Sequence, residues 1–284
     1  MARVQRAAFN ALSVGDAKGA QAELQEVVNQ TQDQRTRGWL RQQLAEVVNR
    51  SDPVEAQVVL KAAIADTRLV LRPLAGIAYE RLALTGDSQA VVAANRLRAG
   101  GLSANHFVVK INGILDDLKF EPGTSTRFER AIAEVGQLLG FGSQRPEAEF
   151  GAGPDALWAL GDLKFLVIEC KNGAVGVKIA KSDADQLSGS TNWFERNYDA
   201  SCKATPVMIH PSVVFERDAN PPVDTRIATR DKLPDLKAAL SSFAAAITAK
   251  AFPPEDQEMM KQLKHHRLLG PEFLDAFTAK RKLT

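Results

Sequence analysis

Gly153-Pro154-Asp155-Ala156-Leu157-Trp158-Ala159-Leu160 and Lys164-Phe165-Leu166-Val167-Ile168-Glu169-Cys170-Lys171-Asn172 are the two runs on which the reading of this chain turns. Both are short, apolar and bounded by turn residues, so they predict strands over 155–160 and 164–170. Asp155 opens the first strand, and Glu169 and Lys171 close the second, 14 and 16 residues later. Strand side chains alternate between faces, so Glu169 and Lys171 share one side and Cys170 takes the other. A hairpin closed around Gly161-Asp162 then brings Asp155 beside Glu169.

Two carboxylates and an amine at one spot suit a hard divalent cation with open positions, Mg²⁺ or Mn²⁺. Asp155 and Glu169 are the candidate metal ligands, and the backbone carbonyl of Cys170 is a natural third, with its thiol turned into the core. Such an ion polarises a phosphate and acidifies bound water, while Lys171 orients or deprotonates that water and offsets developing charge. The bland alternative is a surface Glu169–Lys171 ion pair worth about 1 kcal/mol at most. That alternative accounts neither for two charges ending an apolar strand nor for Asp155 facing them.

Working outward, the spacing predicts a helix over 125–140, a short strand near 144–150, a helix at 179–198, a strand at 204–210, a weaker one at 225–229 and a helix at 234–250. The last thirty residues read as two short helices with a basic end. Strands alternating with helices imply an α/β layer around a central mixed sheet. Residues 3–100 instead carry apolar residues at helical spacing throughout. The boundary is placed near 101–124, where RAGG (98–101) and Glu121-Pro122-Gly123-Thr124 break the pattern, giving a helical domain at 1–110 and a catalytic domain at 120–284. The expected fold class is thus α plus α/β.

Within the helical part a weak repeat appears. Asp16, Asp52 and Asp87 recur at spacings of 36 and 35 residues, each ahead of a helical run, where a carboxylate can cap the first turn. That period is close to that of tetratricopeptide helix pairs. Three ordinary helix pairs sharing turn chemistry give nearly the same shape. Either way this part reads as a scaffold or docking surface.

Pro154-Asp155…Glu169-Cys170-Lys171 resembles the PD-(D/E)XK nuclease superfamily, whose pattern is Asp, a spacer, then Glu-x-Lys ending an apolar strand. The resemblance covers about residues 125–250. It implies a restriction-endonuclease-like fold, a four-stranded mixed sheet flanked by helices. It further implies an acidic residue from the preceding helix, for which Glu129 is the better match and Glu134 the second choice. In some branches the following helix carries a Gln that touches substrate or metal-bound water, and Gln186 takes that place. For Glu129, Glu134 and Gln186 the alternative is a solvated helix face.

The segments Trp39-Leu40-Arg41-Gln42-Gln43, Asp52-Pro53-Val54-Glu55-Ala56-Gln57 and Val70-Leu71-Arg72-Pro73 are similar to the region preceding such nuclease domains in bacterial phage-defence proteins with DEAD/DEAH helicase cores. A helicase or ATPase partner is thereby implied; no Walker A sequence occurs here, so the motor is on another chain or was removed. The expected function is a Mg²⁺-dependent DNA nuclease, endonuclease rather than exonuclease, possessing an antiviral role. A non-catalytic docking module with a nuclease fold and an RNA-directed nuclease are the alternatives.

Trp193, Phe194 and Tyr198 follow the site; packing on the sheet is the bland account, and base stacking by Trp193 the sharper one. Lys264 and Arg267, with Lys261, His265 and His266, read as a basic surface for phosphate; adjacent histidines on a helix point about 100° apart and do not share a metal. The net charge of +2 supplies no long-range field for a polyanion. Two isolated cysteines, Cys170 and Cys202, exclude a disulfide framework or a zinc-finger pattern. The N-terminal stretch lacks a signal-peptide apolar region and no run reaches bilayer length, so a soluble, cytoplasmic protein without membrane contact is expected.

Overall fold

Six strands lie in one mixed sheet in chain order: β1 (Gly142–Gln144), β2 (Ala156–Gly161), β3 (Lys164–Cys170), β4 (Lys203–Ile209), β5 (Arg226–Ala228) and β6 (Ala279–Lys280). This is a computed structural model, and it describes residues 2–50, 52–70, 79–82 and 86–282. β1–β2, β2–β3 and β5–β6 pair antiparallel, whereas β3–β4 and β4–β5 pair parallel. The β2–β3 hairpin turns through Asp162 (φ 49°) and Leu163 (φ 57°), two successive left-handed residues, the backbone that matches the twist of the flanking strands. Its register pairs Ala156 with Ile168 and Trp158 with Leu166.

A parallel step from β3 to β4 needs a crossover, and helix α9 (Lys181–Asn197) provides it. Both faces of the sheet are covered, which is why ALWALG and KFLVIEC are almost continuously apolar. One face, with Met208 and Ile227, packs against Ala184 and Leu187 of α9 and against Phe215. The opposite face, with Ile168, Cys170, Val207 and Ile209, forms a larger core with helices α5 (Gln89–Gly100), α6 (Ala104–Asp117), α7 (Ser125–Leu138), α10 (Lys232–Thr248), α11 (Asp256–His265) and α12 (Gly270–Phe277).

The chain divides into two compact units, one of residues 1–80 with 146–152 and one of 81–145 with 153–284. The first holds α1 (Ala2–Ser13), α2 (Ala17–Gln30), α3 (Gln34–Val48), α4 (Pro53–Asp66) and the short α8 (Pro146–Phe150). Each of α1 to α4 packs on its chain neighbour around Leu24, Val28, Leu40 and Leu44. Asp16 and Asp33 cap α2 and α3, accepting from the amides of Gly19 and Thr36 at 2.8 Å, and Asp52 accepts from Glu55 at 3.0 Å. At the end of α4, Asp66, its side chain 7% exposed, receives both Arg37 and Arg41, at 2.7 and 2.6 Å.

Several expectations need correction. The boundary lies near residue 80 rather than 101–124, because the alanine-rich face of α5 and the apolar face of α6 complete the core of the sheet unit. Consequently the described residues of the helical unit form two helix pairs, α1–α2 and α3–α4. Ahead of α5 the cap is Ser88, not Asp87: its hydroxyl accepts from Val91. The strand expected at 144–150 is three residues, 142–144, followed by the helical turn α8, where Pro146 stands at the first helical position and contributes no missing hydrogen bond there. The basic C-terminal end adds a strand, β6. Leu71-Arg72-Pro73 of the phage-defence resemblance lie outside the described residues.

Candidate active site

The β2–β3 register, continued one step past Ala156 and Ile168, sets Asp155 directly opposite Glu169. Directly opposed residues of an antiparallel pair project to the same face. Both are buried, at 7% and 6% exposure. Asp155 Oδ2 accepts the backbone amide of Cys170 at 2.8 Å, so this acid is held against the end of β3 by the strand it faces. Glu169 Oε1 accepts from the hydroxyl of Ser190 at 2.7 Å, and its Oε2 lies 3.6 Å from Lys171 Nζ. Lys171 Nζ in turn donates to Gln186 Oε1.

Alternation along β3 therefore places Glu169 and Lys171 on the α9 face, where Ser190 and Gln186 of that helix, four residues apart, meet one each. Cys170 points the other way, into the α7–α10 core. Its thiol is pushed well above the ordinary range, first by burial and then by the negative charges of Asp155, Glu129 and Glu169, with Lys171 opposing. Four charged groups thus surround the end of β3.

Glu129 is buried on α7, whose Phe128, Ala131, Ile132 and Val135 pack on the Cys170 face, and it forms an ion pair with Arg145 at 2.8 Å. No three His, Cys, Asp or Glu side chains among the described residues are grouped to hold a metal ion. Glu134, the second choice, is a solvated helix residue paired with Arg130 at 3.6 Å.

Trp193 is buried at 9% exposure, so its ring is not presented for stacking; Phe194 and Tyr198 beside it stack on each other and on Phe165. The large apolar area of these rings is better used holding α9 to the sheet. Lys264 and Arg267 are exposed at the end of α11, which packs on α5 and α10, on the side of the sheet opposite α9 and Lys171. Cations in a last helical turn also offset the helix dipole without any ligand.

Three residues near the strand end were missed in the sequence. Ser190 lies one helical turn beyond Gln186, a spacing that carries its own signal once α9 is recognised as the crossover. Asn172 follows Lys171 and donates to Thr124 Oγ1 at 2.9 Å, tying the loop before α7 to the end of β3. His210 lies at the end of β4; nothing local marks it, since its neighbourhood is set by the parallel pairing with β3. No helix of the described residues is long and apolar enough to cross a membrane. No protein-family model, curated protein or solved structure matches this chain.

Proposed function

We propose that this chain is a Mg²⁺- or Mn²⁺-dependent nuclease hydrolysing phosphodiester bonds in DNA, acting as an endonuclease and built on a restriction-endonuclease-like fold. The observation that carries the reading is the opposition of two buried carboxylates, Asp155 and Glu169, with the Lys171 amine 3.6 Å from the second. Paired acids in a buried setting repel and are costly to ionise without a counter-charge. One ammonium offsets one of them, and a divalent cation suits the remainder.

The donor set fits such an ion: Asp155 and Glu169 would supply carboxylate oxygens and Cys170 its carbonyl, with water completing the shell as Mg²⁺ prefers. Bound there, the ion would withdraw charge from the phosphate and acidify a coordinated water. Ser190 holds Glu169 in one orientation, and Asp155 is held by the Cys170 amide. Lys171, steered by Gln186, orients the attacking water and stabilises charge gathering on the phosphate oxygens as the phosphorus–oxygen bond to the leaving group breaks.

Support for the fold comes from the antiparallel β2–β3 hairpin, the helical crossover and the parallel β4, which agree with the mixed sheet that the PD-(D/E)XK resemblance implies. The helical unit is read as a docking element for a helicase or ATPase in antiviral defence, on the resemblance of residues 39–43 and 52–57 alone.

Incubation with plasmid, linear duplex, single-stranded DNA and RNA, each with Mg²⁺, Mn²⁺ or EDTA, tests this. Metal-dependent cleavage of DNA is expected. Cleavage of RNA alone transfers the site to the RNA reading, and no cleavage of any substrate in either metal ion removes the enzymatic assignment.

A further inference from the structure

Lys171 has a neighbour on the next strand that the mechanism above does not use. β3 and β4 pair in register from Lys164 opposite Lys203 to Cys170 opposite Ile209, and the Lys171 amide continues the ladder by donating to the Ile209 carbonyl at 2.8 Å. One step further, Lys171 stands opposite His210. In-register residues of adjacent strands share a face, so His210 projects to the side of Glu169 and Lys171, as Met208 does two residues earlier against α9.

Ser212 meets Nδ1 of His210 twice: with its backbone amide, which can only donate, at 2.9 Å, and with its carbonyl, which can only accept, at 3.3 Å. The shorter contact makes Nδ1 the acceptor in the neutral ring, with the hydrogen on Nε2. Burial lowers the basicity of the ring, with the Lys171 charge acting the same way, while the Ser212 carbonyl, which would accept from Nδ1–H of the protonated ring, and Asp183 oppose. His210 is 1% exposed; its Nε2 has no hydrogen-bond partner among the described residues and is not one of the fully buried polar atoms lacking one, so this nitrogen keeps access to solvent and to a ligand.

We propose that His210 is a substrate-binding residue of this site, a neutral donor whose Nε2–H bonds a non-bridging oxygen of the phosphodiester beside Lys171. A neutral donor suits that position, because it contacts the anion without adding a second positive charge next to the lysine and the metal. Charge on the non-bridging oxygens grows toward the transition state, so the bond strengthens as the reaction proceeds. The inference rests on the nuclease reading, and the experiment separates the two.

Wild-type, His210→Asn and His210→Gln chains are compared on a labelled DNA duplex in Mg²⁺, with thermal melting in parallel. Asn keeps an acceptor near the Ser212 amide and removes the distal donor; Gln carries an N–H to the distal position. His210→Asn is expected to lose about 10²-fold in kcat with KM changed little, and His210→Gln to lie at least about tenfold above it, at unchanged melting temperature. His210→Asn cleaving within about twofold of wild type, or a well-folded His210→Gln no better than His210→Asn, overturns the proposal. A wild-type chain inactive on every nucleic acid sinks the nuclease reading and this inference with it.

Should His210→Asn melt early, the imidazole Nε2–H resonance of ¹⁵N-labelled Lys171→Ala chain decides the matter. Titration with the duplex in Mg²⁺ is expected to shift that resonance, and a resonance that stays in place at saturating DNA overturns the contact.

Discussion

Ser190 of α9 donates its hydroxyl hydrogen to Oε1 of Glu169 at 2.7 Å, and both side chains are buried. Losing a hydrogen bond to a buried acid leaves the acceptor without solvent to replace the donor. Ser190→Ala is therefore expected to lower the unfolding free energy by about 1–3 kcal/mol and to slow cleavage, because the acid loses its fixed orientation. Denaturant titration of both chains checks the first part. An unchanged midpoint would show that this bond contributes nothing net.

The two acids and the lysine divide their tasks differently. Lys171→Ala is expected to abolish cleavage while DNA affinity stays within a few-fold, and retained cleavage would remove Lys171 from the mechanism. Asp155→Asn keeps the shape and its acceptor toward the Cys170 amide but loses the charge, so calorimetry should show Mg²⁺ binding gone. Unchanged Mg²⁺ affinity would exclude Asp155 as a ligand.

Gly136 in α7 reverses an ordinary rule. An alanine in a helix interior is usually up to about 1 kcal/mol better than glycine. Here an added Cβ would lie 2.5 Å from Nε1 of Trp158, whose ring is buried against Phe141 and Phe273. Gly136→Ala is expected to destabilise by about 1–3 kcal/mol through overpacking, measured by thermal melting. A stabilised variant would mean that the ring can move aside.

In the helical unit, Asp66 joins Arg37 and Arg41 on the neighbouring helix. Both guanidinium groups keep about a quarter of their surface exposed, so the penalty of stranding them is below that of a fully buried pair. Asp66→Asn is expected to cost about 1–3 kcal/mol, seen as a lower unfolding midpoint of this unit by hydrogen exchange. Exchange rates in α3 and α4 that match wild type would dismiss the clamp.

The two cysteines should differ in reactivity. Burial and three nearby carboxylates hold the Cys170 thiol well above its usual range, so the nucleophilic thiolate is scarce at pH 8, whereas Cys202 is half-exposed. Iodoacetamide followed by mass spectrometry should find Cys202 alkylated and Cys170 spared in the folded chain. Rapid native-state labelling of Cys170 would contradict its placement in the core.

What the sequence determined by itself was whatever depends on near neighbours. The β2 and β3 strands, their hairpin, and the side-by-side placement of Glu169 and Lys171 were legible because strand alternation has a period of two and a short turn sets the register. Gln186 was singled out by the family resemblance, and α9 brings it to Lys171. Tertiary structure alone decided the rest. The pairing of Glu129 with Arg145 depends on how α7 packs on the Cys170 face, which spacing along the helix does not show. For Trp193 the sequence favours packing and leaves stacking as the alternative, and the burial of the ring under α9 is seen only in the fold. α5 and α6 carry helix patterns that fit either unit, and only the core they complete assigns them to the sheet. His210 became visible through the parallel β3–β4 pairing, whose partners lie 39 positions apart in sequence. Contacts of that range depend on which surfaces bury each other, and local periodicity carries no record of that choice.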